Sequence, residues 1–269
     1  MAYTAPSGPL PVGGVVDDAL RLYRSIFSRA WILAFAFSLA LAGFSLVVFL
    51  NVPLDSTPGT QSLQQMLSAL RSPPILTMYL LVTLLTFALY GSLMALANAV
   101  AHANTSFTLL QACATGFRRL PAIVLASLIF GVAVVLGLIV LIVPGIWLWG
   151  RLQLWIAAMF AEDATALGSL RSSWQITEGN WWRGSAIFSV AVILIFVVSF
   201  VFSLVGGVVA AILRLSLTDT QIVVQLFSLV ANTITYPFFV ATWLCMHRDF
   251  KLRREGGDLA ARTRALGSA

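Results

Sequence analysis

Charge is what this sequence has least of. Only 10% of its 269 residues are Asp, Glu, Lys or Arg, against 59% hydrophobic residues and a mean hydropathy of +0.94. A water-soluble domain carries roughly a quarter of its residues as charges. A soluble globule of this length is therefore excluded, because its surface would have to be built from apolar side chains. Histidine and cysteine are as sparse, with two of each. His102 and His247 belong to no HExxH or comparable ligand spacing, and Cys113 and Cys245 are too few for a disulfide framework or a metal cluster. Neither a G-x-x-x-x-G-K-[ST] phosphate loop nor a G-x-S-x-G elbow occurs. Glu162-Asp163 reads as the acidic end of an exposed helix. These absences leave no catalytic residue, no cofactor and no metal site to name, and they argue against an enzyme.

What is present is a series of apolar runs of about 20 residues, the length that crosses roughly 30 Å of hydrocarbon at 1.5 Å per residue. Six spans are expected, over residues 30–50, 74–101, 121–143, 146–161, 184–213 and 222–246, in an all-α, polytopic transmembrane helix bundle. Residues 1–14, with Pro6, Pro9 and Pro11, read as a flexible tail. Val16, Ala19, Leu20, Tyr23, Ile26 and Phe27 recur at helical spacing opposite Asp17, Arg21 and Arg24, the pattern of an interfacial amphipathic helix before the first span. The loop from Asn51 to Ser72 is polar, with a short helical pattern over 63–70, and Pro73-Pro74 suits the start of the second span. Pro144-Gly145 between two apolar runs predicts a tight reversal and makes the third and fourth spans one hairpin. Residues 248–269 form a basic tail.

Thirteen of the sixteen Lys and Arg residues fall on one side of this layout, Arg71 and Arg214 fall on the other, and Arg151 lies within a span. The positive-inside rule then predicts both termini in the cytoplasm of a multi-pass cell-membrane protein, with the first apolar run retained as a span. On that side Asn104-Thr105-Ser106 matches a glycosylation sequon without being modified. The segments ALRLYRSIFSRAW, LLQACATGFRRLP and SLRSSWQITEGNWWRG each precede an outward span, which suggests interfacial helix plus hairpin repeated three times, or only the common look of amphipathic lead-ins.

Arg151 is the costliest residue on this map, since Arg in hydrocarbon must snorkel, pair or face water. Six residues past Gly145, it is expected to reach the external headgroups or to pair with Asp219 or Asp55; Glu162, a further 11 residues on, is too distant for a direct pair. In the sixth span Gln225, Ser228, Asn232 and Thr235 make a polar stripe before Pro237, and Thr83, Thr86, Tyr90 and Asn98 of the second span offer groups to bond across to it. Trp174, Trp181, Trp182 and Arg183 combine indoles with cations at an interface. Together with Arg151 and Glu162 they are the candidate structural or lipid-contact residues. The net charge of +6 is dispersed among membrane flanks, which favours anionic lipid headgroups and other membrane proteins as partners, not nucleic acid.

The run PGIWLWGRLQLWIAAMFAEDATALGSLRSSWQITEGNWWRG, together with VGGVVDDALRLYRSIF near the start, resembles a group of bacterial six-span inner-membrane proteins similar to the membrane domain attached to some glycerophosphodiester phosphodiesterases. The group's pattern falls on Pro144, Gly145, Arg151, Glu162, Ser173, Trp174, Thr177, Gly179 and Trp182. The resemblance implies a six-span inner-membrane fold and, with no phosphodiesterase barrel in the sequence, no hydrolysis. Three classes of function stay open: a non-catalytic scaffold or regulator that meets lipid or membrane proteins, a small-solute transporter, and a lipid-active intramembrane enzyme.

Overall fold

The computed structural model describes residues 3–51, 71–104 and 106–267, with side chains described outside 48–51, 217 and 257–267. Among them the chain is helical, with no strand: α1 (Val12–Asn51), α2 (Pro73–Ala101), α3 (Leu109–Val140), α4 (Ile142–Leu152), α5 (Trp155–Ala161), α6 (Ala166–Ile176), α7 (Trp181–Ile212) and α8 (Leu217–Gly267). Five of these, α1, α2, α3, α7 and α8, are long and apolar enough to cross a membrane, so the chain is an integral membrane protein. α1 lies along α8 and α2, α2 along α3, α7 along α8, and α3 folds back onto α4. Asp55 and the helical pattern over 63–70 fall outside the described residues, as does Thr105 of the sequon.

Helix boundaries depart from the expected map in four places. The amphipathic lead-in and the first span are one helix of 40 residues, because no breaker interrupts the apolar face between them. The sixth span and the basic tail likewise run on as α8, with Pro237 inside it. The reversal after α3 occurs at Leu141, the single extended residue (φ −162°, ψ 149°), and not at Pro144-Gly145. Pro144 needs no N–H partner in the first turn of a helix, so it starts α4 instead of turning the chain. Gly145 serves the hairpin in another way: a Cβ on Gly137 would lie 2.9 Å from the Gly145 Cα, and only two glycines let the limbs approach so closely.

The fourth departure concerns the expected span over 146–161. It is not continuous: α4 has 11 residues, α5 has 7, and Gln153-Leu154 divide them. The cause is an inserted side chain. Ser173 of α6 donates to the Arg151 carbonyl at 3.0 Å and accepts from the Leu154 N–H at 3.1 Å, and Thr177 donates to the same carbonyl at 2.9 Å. Two groups that would extend the helical ladder are thus bonded elsewhere.

Other elements form as their sequences dictate. Thr108 and Gln111 close a reciprocal capping box at the start of α3, Pro73 and Pro74 open α2, and the Thr165 hydroxyl caps α6 by accepting from the Gly168 N–H. The core, including Leu22, Ile26, Leu93, Met94, Met246 and Phe250, lies toward one end of the bundle. The outer faces of α3 and α7, including Leu128, Ile139, Ile193, Phe196 and Phe200, are exposed and apolar, as a surface bathed in lipid requires.

Candidate functional site at the charged end

Three acids organise one end of the bundle. Asp18 of α1, 1% exposed, receives the Tyr3 hydroxyl at 3.1 Å, pairs with Arg248 of α8 and lies 3.6 Å from Arg21. Asp249 of α8, 4% exposed, accepts from the Leu10 N–H at 2.8 Å, from Arg183 Nε at 3.1 Å and from Arg253 Nε at 3.0 Å. Glu162, just past α5, lies 3.2 Å from His247 Nε2 and 3.4 Å from Lys251 Nζ, both on α8. Contact with His247 holds the Glu162 carboxyl down at about 2, helped by Ser172 and Lys251 against the opposing effect of burial.

These pairs fasten the start of the chain. Arg183 and Arg253 both donate to the Leu10 carbonyl, and the Tyr3 ring stacks under Arg248. Residues 3–11, expected as a free tail, instead lie across the charged end, where their backbone groups complete the shell of a buried carboxylate. Burial raises the Tyr3 hydroxyl above its ordinary range. A second link joins α3 to the loop after α5: Arg119 donates to the Met159 carbonyl at 2.7 Å, pairs with Asp163, and lies 5.3 Å from the Phe160 ring centre.

Of the sequence candidates, Glu162 and Arg183 belong to this ion network. Trp181 donates from Nε1 to the Trp147 carbonyl at 3.1 Å, while Trp182 is 81% exposed. Arg151 departs furthest from expectation. It neither snorkels toward the end that holds Arg214 nor pairs with Asp219, whose carboxylate accepts from Ser216. It is 6% exposed, at the end of α4 beside α6, with its guanidinium carbon 4.5 Å from the Trp174 ring centre and 5.6 Å from that of Trp147. The physical reason is the shortness of α4, which returns to the charged end before position 151.

The polar stripe also differs. Thr83 and Thr86 donate to carbonyls four residues back in their own helix, and Thr235 of the stripe donates to the Asn232 carbonyl three residues back at 3.5 Å. The Asn98 amide is the group of α2 that bonds across, to the Phe160 carbonyl at 2.9 Å. Tyr90 joins Phe37, Tyr236 and Trp243 in an aromatic cluster.

Sequence reasoning missed Asp18, Asp249, His247 and Tyr3. The i,i+3 pair Asp18–Arg21 and the i,i+4 pair Asp249–Arg253 were legible; the partners from other helices were not. Among the described residues, no group of three or more His, Cys, Asp and Glu side chains is arranged to hold a metal ion. No protein-family model, curated protein or solved structure matches the chain.

Proposed function

We propose that this integral membrane protein is a non-catalytic scaffold or regulator, with its charged end in the cytoplasm of a bacterial inner membrane and engaged with anionic lipid or with other membrane proteins. The observation that carries the reading is the pairing of rigid ion links with exposed indoles at one end of the bundle. Asp18, Asp249 and Glu162 each have two or more partners, which suits holding a shape better than moving protons. Trp182 and Trp174 remain exposed beside them, in the manner of an interfacial aromatic belt. The kinship suggested by the Pro144–Gly184 signature is part of this proposal.

Photo-cross-linking from position 182 in native membranes, with captured species identified by mass, tests it. Specific lipid or membrane-protein adducts that weaken when the neighbouring exposed Trp174 is replaced by Ala are expected. Substrate uptake by proteoliposomes of the purified chain would replace the scaffold with a transporter.

A further inference from the structure

Among the described residues the buried Arg151 guanidinium has no counter-ion. Among these residues its Nε has no hydrogen-bond partner, its terminal nitrogens make no hydrogen bond or ion pair, and no carboxylate lies within 4 Å. Of the acids at this end, Glu162 is committed to His247 and Lys251, Asp163 to Arg119, and Asp249 to Arg183 and Arg253, while Glu178, next in sequence to Thr177, lies beyond 4 Å of the guanidinium nitrogens and forms no pair with them. The faces of Trp147 and Trp174 attract the cation. They accept none of its five N–H groups in the plane of the guanidinium, where acceptors are needed. Ser173 and Thr177 pin the Arg151 carbonyl, which fixes the residue in place.

Depth adds the second constraint. α4 has 11 residues, about 16 Å of helix, and it ends where Gln153 approaches Gly184 and Phe250, beside the Arg183–Asp249 pair. Arg151 therefore sits at the level of the charged end, which the orientation proposed above places among the headgroups. The indoles around it are partly exposed, Trp147 at 43% and Trp174 at 36%, and above them the hairpin presents the apolar side chains of Ile139, Val143 and Ile146.

We propose that Arg151 receives a phosphate group, and that the source is a membrane lipid whose phosphate meets the guanidinium between Trp147 and Trp174 while its acyl chains lie along the α3–α4 hairpin. The planar guanidinium matches two phosphate oxygens at once, which an ammonium cannot do. This inference rests on the lipid-contact reading above and names its site.

The test uses the full chain in detergent, with binding read by native mass spectrometry. Three probes separate the sources: phosphatidic acid, diacylglycerol of the same chains, and inorganic phosphate. Phosphatidic acid is expected to bind at least tenfold more tightly than diacylglycerol. Arg151→Gln is expected to abolish that preference, and Arg151→Lys to keep only part of it. Inorganic phosphate binding as tightly as phosphatidic acid, and lost in Arg151→Gln, would support the phosphate site and overturn the lipid as its source. Equal binding of phosphatidic acid and diacylglycerol by the wild-type chain overturns the proposal whether or not any variant folds. A helical, monodisperse Arg151→Gln that binds phosphatidic acid like wild type overturns the site, while adducts at position 182 would leave the scaffold reading standing.

Discussion

Asp18 and Arg248 are 230 positions apart in sequence and form a direct ion pair, joining the first helix to the last at the charged end. Asp18 is buried, so loss of Arg248 would leave its carboxylate with only the Tyr3 hydroxyl and the more distant, exposed Arg21, a cost of about 2 kcal/mol. Arg248→Gln is expected to lower the thermal unfolding temperature in detergent by several degrees. Asp18→Asn combined with Arg248→Gln is expected to cost less than the sum of the two, since the second change removes the group that the first one stranded. Strict additivity would mean that the pair contributes nothing as a pair.

Glu162 gives a pH signature. Its carboxyl is held at about 2, below the ordinary 4.5, so the folded chain binds that proton less readily than the unfolded chain does. The stabilisation is therefore complete above pH 4.5 and disappears as pH falls through about 2. Because 22% of the side chain is exposed, water screens part of the effect and about 1 kcal/mol is expected to remain. Unfolding temperatures of wild type and Glu162→Gln should differ at pH 7 and converge as pH falls from 4.5 toward 2. A constant gap across that range would rule out ionisation as the source.

Close helix contact at Gly116 allows a paired test within one helix. A Cβ there would lie 2.3 Å from Ser92 Oγ and 2.5 Å from the Ala88 carbonyl oxygen, and the backbone atom cannot move aside without shifting α2. Gly116→Ala is expected to destabilise by about 2 kcal/mol. At Gly131, also in α3, a Cβ meets nothing within 4 Å, so Gly131→Ala is expected to be neutral or slightly stabilising by helix propensity. Unfolding of both variants in the same detergent measures the contrast.

The membrane class and the positions of five apolar helices were legible because hydropathy is additive along the chain and needs no knowledge of neighbours. The Pro73-Pro74 start of α2 was legible for a local reason as well. What failed depended on tertiary insertion. Ser173 enters the ladder between Arg151 and Leu154, and nothing within 146–161 announces it. Leu10 became ordered because Asp249, far along the chain, needed a donor. At the site, composition drew attention to Arg151, Glu162 and the tryptophans. Beyond the Asp18–Arg21 and Asp249–Arg253 pairs, the acids that the cations chose lie on other elements and could not be paired by spacing.

The shortness of α4 makes the hairpin itself testable. Eleven residues rise about 16 Å, roughly half the hydrocarbon thickness, and both ends of α5 meet residues at the charged end: Gln153 near Gly184, and Glu162 beside His247. From Leu128 to Ile146 no polar side chain occurs, so the turn at Leu141 carries nothing that would favour contact with water. The hairpin is therefore expected to enter and leave from the charged end, with its tip in hydrocarbon. In a chain with Cys113 and Cys245 replaced by Ala, Val143→Cys is expected to resist a membrane-impermeant maleimide added from either side. Ser216→Cys should react from one side, and Ser172→Cys only from the other. Reaction of Val143→Cys from the same side as Ser216→Cys would mean that the turn emerges there, that α4 and α5 together complete a crossing, and that the original six-span map describes the topology after all.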